Sequence, residues 1–515
     1  MKNQLLILTS IFFLAINISC NKPTNSIQQP KEVTITGQVI NKHNYDPKTI
    51  VIIINDVASG EQIKFLDDLD EKGNFEIKFE RYYPQEVMLK YFSIWEIFVH
   101  PGDSIHIELD AEKMKSNETI YNALTFSGDA ITENQQLSAF NAWFSPIRKK
   151  ESQSRVEESR YNFEMYKQYR DSLRNEYQKE SNEFIKANKI SEPIKTWIYY
   201  EIEHDYIHNL VNYPRHHRQL NNYEKSWDVP VDYYDFFIES KLNSRFIANA
   251  HFAKSFLNEF FIFYVRGHIR QELITKGLVK DTIFPNGRTA QRWLVENIDS
   301  VIISGIDKLT PDEIKQYMLS NYFIMKQRQN SDTETYEEYL PLINKEIKEP
   351  FLLANLKKNY EENKKLEKSP QSNRKKIFDA EDNLGTEILK KIISDNKGKV
   401  IYIDCWAIWC GPCIAEMPNS KKLMTELNNE KVEFVFLCCN SPADAGKKKV
   451  EDLKLGGTHY FLNQDQTNYI QKELAFSSYP NYVLIDKKGN IVTSSPFNSP
   501  SNIETKKKIL ELINE

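Results

Sequence analysis

Cys410 and Cys413, in the stretch WCGPCIAEMP, stand where an apolar run (VIYIDCW, residues 400–406) gives way to a helical pattern. A C-x-x-C pair at a helix start sets its first sulfur against unsatisfied backbone N–H groups and the positive end of the helix dipole. The thiolate is the nucleophile. Lowering a thiol pKa from about 8.5 to about 7 is worth roughly 2 kcal/mol and leaves about half the thiol ionised at neutral pH. The second cysteine, one turn further in, is expected to be less exposed. Cys410 should therefore attack a disulfide and Cys413 should resolve the mixed disulfide. Resolution needs a base for the Cys413 proton, and two carboxylates are candidates. Asp404 ends the buried strand, where desolvation would raise its pKa. Glu416 follows Cys413 by three residues, on an adjacent turn of the same face; its bland role is to complement the helix dipole.

A zinc site would need a further spaced Cys or His pair, and the nearest candidates, Cys438 and Cys439, are adjacent to each other. No metal is therefore expected. Cys405, Cys410, Cys413, Cys438 and Cys439 crowd into one C-terminal region, and none lies between Cys20 and Cys405. Structural staples would be spread along the chain, so sulfur here points to chemistry. Cys438 and Cys439 end a strand (VEFVFLCC) and read as buried packing, with an auxiliary redox role as the alternative. His204 and His208 (HDYIH) share a helix face, but Asp205 stands where a zincin has Glu and no third ligand is obvious.

The elements that must position this chemistry fall into blocks. Residues 1–19 have a positive start at Lys2 and an apolar core, Leu5 to Ile16. A small residue before Cys20 resembles a bacterial lipoprotein processing site, with Cys20 as the lipidated residue. An ordinary secretory signal cut nearby is the alternative, and both lead out of the cytoplasm. Residues 20–31 are polar and read as a tether. Residues 32–130 alternate as short strands (VTITGQVI, GNFEIKFE, IFVHPGDSIHIELD) and predict a small antiparallel, β-sandwich-like domain. Residues 131–358 carry apolar side chains at helical spacing and predict an irregular α-helical domain with an aromatic core. Residues 359–376 read as a linker. From 377 to 515 strand and helix alternate and a hairpin and terminal helix follow, which is the thioredoxin order.

The net charge of −5 comes with no long basic run, which gives a nucleic-acid surface little support. After the N-terminus no stretch of eighteen apolar residues occurs, so no spanning helix is expected.

Through YIDCWAIWCGPCIAEMP, SSYPNYVLIDKKGNIV and the terminal helix, residues 377–515 resemble the TlpA/ResA-like thiol–disulfide oxidoreductases. The resemblance covers about a quarter of the chain. It implies an α/β thioredoxin fold with no cofactor beyond the cysteines, in which Asp404 is the buried aspartate and Glu416 the glutamate of C-x-x-C-x-x-E-x-P. It also implies that Trp409, Gly411, Pro412, Tyr479 and a cis Pro480 meet the substrate. Cys405 departs from the aromatic common there, a change in buried packing. More weakly, HPGDSIHIEL and FSGDAITENQQL resemble the β-domain preceding thioredoxin domains in Bacteroidetes lipoproteins.

The reading favoured is an envelope protein, lipid-anchored and facing the periplasm, that reduces protein disulfides. Gly411-Pro412 is the thioredoxin dipeptide, and thioredoxin lies at the reducing end of the scale, near about −270 mV. The partners implied are disulfide-containing envelope proteins and a membrane thiol that supplies electrons. One alternative is a thiol peroxidase of the AhpC/TSA type, although Ile403 and Ala407 occupy its Pro and Thr positions. Another is a client-binding envelope protein with a secondary redox site.

Overall fold

The computed structural model describes residues 29–515 apart from 117–119, 153–155, 226, 241, 243, 278–297, 331–332, 368–374, 380–384 and 428–430. The expected signal peptide, Cys20 and most of the expected tether lie outside the described residues. Among those described, no helix is long and apolar enough to cross a membrane.

Eight strands form the N-terminal region: β1 (Lys31–Ile40), β2 (Thr49–Asp56), β3 (Glu61–Asp68), β4 (Asn74–Arg81), β5 (Gln85–Lys90), β6 (Ile94–Val99), β7 (Ser104–Asp110) and β8 (Leu124–Gly128). They make two four-stranded sheets, ordered β4-β1-β7-β8 and β3-β2-β5-β6. The alternation of β1 and β7 sends Val33, Ile35, Ile105 and Ile107 inward, where they meet Ile50, Ile52, Val87 and Leu89 of the other sheet. Pairing is antiparallel except between β1 and β7, which run parallel.

The middle region is helical. Its principal helices are α1 (Ile131–Ser152), α2 (Phe163–Ala187), α3 (Glu192–Leu220), α4 (Ala250–Glu259), α5 (Asp312–Asn330) and α6 (Pro350–Glu367). Aromatic residues dominate its core, among them Tyr200, Tyr213, Phe236, Phe252 and Tyr317, each at most 1% exposed. This core does not stop at the edge of the β-region. The tip of the β2–β3 hairpin, Val57 and Ala58, is buried within it. Gly60 closes that tip at φ 67, a conformation that only glycine adopts without cost. Phe98 of β6 packs with Leu137, Phe140 and Trp197 of α1 and α3. The Glu86 carboxylate on β5 accepts the backbone N–H groups of Ala250 and His251, both at 2.6 Å, at the start of α4.

The expected linker, 359–376, needs correction: α6 continues through Glu367, and a strand begins at Lys375. Its polar sequence is misleading because α6 buries amides as well as apolar groups. The Asn363 side chain donates to the Gln327 carbonyl at 2.7 Å, and that of Gln327 donates to the Leu356 carbonyl at 3.2 Å.

The C-terminal sheet has the order β14-β13-β10-β11-β12-β9. Its strands are β9 (Lys375–Asp379), β10 (Val400–Trp406), β11 (Val432–Cys438), β12 (Gly457–Phe461), β13 (Asn481–Ile485) and β14 (Ile491–Ser495). Around it lie α7 (Gly385–Asp395), α8 (Gly411–Glu426), α9 (Ala443–Asp452), α10 (Gln464–Glu473) and α11 (Ile503–Asn514). β10 runs parallel to β11 and antiparallel to β13. Every residue of β10 is buried, as a central strand covered on both faces requires.

Candidate active site

The period of two along β10 decides what lies under the cysteines. Val400, Tyr402 and Trp406 share one core with Cys410, Cys413 and Met417, whereas Ile401, Ile403 and Cys405 face the opposite core. Asp404 belongs by its position to the first set and turns toward α8. There its Oδ2 lies 3.4 Å from the Ser420 hydroxyl, and its Oδ1 has no hydrogen-bond partner among the described residues.

Cys410 is the N-cap of α8, so the helix begins at Gly411. Cys410 and Cys413 are joined as a disulfide, and the Cys413 backbone N–H donates to the Cys410 sulfur at 3.2 Å. One of the orphan donors at the helix start is thus aimed at the sulfur expected to attack. Cys410 keeps 5% exposure and Cys413 none.

Both carboxyls behind the pair are pushed toward their neutral forms. Burial raises Asp404 to about 8, helped by the nearby Glu416 charge and opposed by the Ser420 hydroxyl. Burial also raises Glu416, against hydrogen bonds that favour its ionised form. Those bonds come from the Ser501 backbone N–H at 3.2 Å and the Ser501 hydroxyl at 2.8 Å. The Glu416 charge disfavours ionisation of Asp404, and the charge that disfavours ionisation of Glu416 is that of Glu61 at the start of β3.

The rim is aromatic. Trp409 is 62% exposed, donates its indole N–H to the Asn440 carbonyl at 3.0 Å, and meets Tyr479 edge-on. Gly411 and Pro412 are exposed beside it. The Tyr479–Pro480 peptide bond is cis. The Tyr479 hydroxyl accepts from the Gln471 side chain at 3.3 Å and from that of Asn440 at 3.5 Å.

Asp404, Trp409, Cys410, Gly411, Pro412, Cys413, Glu416, Tyr479 and Pro480 thus sit together at one end of the sheet. Sequence reading missed Ser420, Ser501 and Asn440. Ser420 was accessible, two turns on from Cys413 along the same face; Ser501 and Asn440 arrive from distant loops that carry no local signal. Cys438 shares the core of the redox pair, and Cys405 and Cys439 lie in the opposite one. Burial pushes the thiols of Cys438 and Cys439 up to about 12, which leaves them un-ionised at neutral pH.

A dithiol–disulfide pair capping a helix, above a buried aspartate and beside a cis-proline, defines a thioredoxin-fold redox domain. Residues 382–512 match the family model described as Redoxin. The thiol-disulfide oxidoreductase ResA of Bacillus thuringiensis subsp. konkukian is 31% identical over 104 residues, covering 20% of this chain and 58% of ResA. The thioredoxin-like protein YneN of Bacillus subtilis is 31% identical over 102 residues, covering 20% of this chain and 59% of YneN. The chain therefore spans a little over half the length of the curated relatives it matches. A crystal structure of the thioredoxin domain of a thiol-disulfide oxidoreductase from Bacteroides vulgatus aligns with 24% of this chain and 84% of its own, at 20% identity and a TM-score of 0.21. The C-terminal domain is a TlpA/ResA-like thioredoxin-fold domain.

Proposed function

We propose that the protein is an exported, lipid-anchored thiol–disulfide oxidoreductase that reduces protein disulfides in the cell envelope. The observation that carries this reading is Cys410 capping α8 with the Cys413 N–H directed at its sulfur, above two carboxyls whose pKa values burial raises. In the reduced enzyme the Cys410 thiolate attacks a client disulfide. A mixed disulfide forms and one client sulfur leaves as a thiolate. Cys413 then loses its proton to the Asp404–Glu416 pair and attacks the Cys410 sulfur. The second client sulfur leaves, and two electrons have passed from the enzyme dithiol to the client. The Cys410–Cys413 disulfide is re-reduced by a dithiol donor, which for an exported enzyme must be supplied through the membrane.

Trp409, Gly411, Pro412, Tyr479 and Pro480 form the surface that meets the client chain in this reading. Cys20 carries the anchor, and labelling with a radioactive fatty acid that is lost in Cys20→Ala checks it. Replacing Cys413 by Ser should trap clients as mixed disulfides on Cys410. Equilibration of the pair against glutathione should give a potential nearer the thioredoxin value, about −270 mV, than the DsbA value, about −120 mV. A value at the DsbA end refutes the reductive direction. Peroxide consumption that survives Cys413→Ser and depends on Cys410 alone would replace this reading with the peroxidase one.

A further inference from the structure

Below the redox pair, the side of α8 turned away from the C-terminal sheet meets the rest of the chain. α5 and α6 pack against it. Between the β2–β3 hairpin tip, α4, α5 and the exposed side of α8 lies a cavity of about 590 Å³, within the usual size for an enclosed ligand. Ala415 supplies its α8 wall. Ala415 follows Cys410 by five residues, about 7.5 Å along a helix axis, a span that two or three residues of extended chain cover.

The lining is mixed in a way that suits polypeptide. Phe261, Met318 and Met325 offer apolar and thioether surface, and Asn258, Asn321 and Gln62 offer amides that can pair with a main chain. The Asn321 Oδ1 is buried and has no hydrogen-bond partner among the described residues. The charges are unbalanced. Arg328 is committed, donating to the Ser59 carbonyl at 2.6 Å and to Glu61 at 2.9 Å. Lys254, also in the wall, forms no ion pair among the described residues. The wall sets two cations, Lys254 and Arg328, against one carboxylate, Glu61, and that carboxylate is already paired with Arg328.

We propose that this cavity seats the stretch of client polypeptide next to the disulfide, and that Lys254 selects stretches carrying an Asp or Glu side chain. The inference rests on the oxidoreductase reading for its client, but its test does not need redox turnover. The full chain with Cys410→Ser and Cys413→Ser is titrated with a short peptide that holds one internal disulfide flanked by aspartates, and with its lysine counterpart. The aspartate peptide should bind about tenfold more tightly. Lys254→Met should bring the two peptides to equal affinity, and Lys254→Glu should reverse their order; Lys254→Met keeps the aliphatic stem and carries the test if the glutamate variant does not fold. Equal binding by the parent chain, or a preference that survives Lys254→Met, overturns the proposal. Reduction of the aspartate peptide by the unmutated chain is scored separately. Binding without reduction would sink the oxidoreductase reading and leave the cavity assignment standing.

Discussion

Asp404 is the residue whose replacement separates the chemistry of the site from its stability most sharply. Its folded-state pKa is raised from the ordinary 3.8 to about 8, with burial the largest cause. The sign follows from proton counting. Between those values the native state binds more protons than the unfolded chain, so stability falls as pH rises and is least reduced below about 4. For a shift from 3.8 to about 8 the loss grows by about 4 kcal/mol between pH 4.5 and pH 7.5. That is a large share of the roughly 5–15 kcal/mol that holds a domain folded. Asparagine has nearly the same shape and no charge to bury. Asp404→Asn should therefore gain on the parent protein by about 4 kcal/mol over that interval, chiefly because the parent declines. Other parts of a multidomain chain would blur a global melt, so the assay is urea unfolding read by hydrogen exchange of the β10 peptide, with the disulfide intact. An advantage that changes by less than about 1 kcal/mol between the two pH values refutes the argument. Asp404 would then be solvated or paired in the folded protein.

Three further outcomes are expected. Glu416→Gln removes the charge that helps raise Asp404, so the pH midpoint for release of a Cys410 mixed disulfide should move down; adding Asp404→Asn should slow that release about 100-fold, measured by quenched-flow thiol trapping. Glu203 is fully buried and accepts from Arg174 at 2.7 and 2.6 Å, so Glu203→Gln should cost about 3–5 kcal/mol, seen as a lower urea midpoint of the helical region. The ring of His204 lies against those of His208 and His251, and burial depresses all three pKa values. A base with a depressed folded pKa loses stability as pH falls below its unfolded value, about 6.5. His204→Phe should flatten that acid limb in near-ultraviolet dichroism melts at pH 5 and 7.5.

What the sequence made legible was whatever depends on periodicity and local order. The alternation in VTITGQVI places Val33 and Ile35 inside and is enough to find a strand. The unbroken apolar run at 400–406 announces a central strand, and C-x-x-C at its end announces a capped helix. What it concealed depends on partners far away in the chain. Asn363 looks like linker sequence and proves to be helical and buried, because its amide is satisfied by a carbonyl of another helix. Val57 and Ala58 look like turn residues, yet they are core residues of a region that begins seventy residues later. Ser501 holds Glu416 from the far side of the hairpin, and no spacing rule connects the two.

The three sides of α8 explain why so long a preamble precedes so compact a motif. Successive residues turn by about 100° around a helix, so Cys413, Met417, Ser420 and Met424 fall on one face, which is buried on the sheet. The end carrying Gly411 and Pro412 stays open beside Trp409. The remaining flank, Ala415, Pro418, Asn419 and Lys422, borders a second cleft against β3, β4 and α6. Chemistry uses the open end and fold stability uses the buried face, so only the flank is free to respond to the preceding domains. Under the proposed function, contacts there would leave the sulfurs alone and select which chains lie along the helix. In that reading substrate choice can change by substitutions on α5, whereas the β2–β3 tip is tied to the redox site electrically, because the Glu61 charge helps raise Glu416.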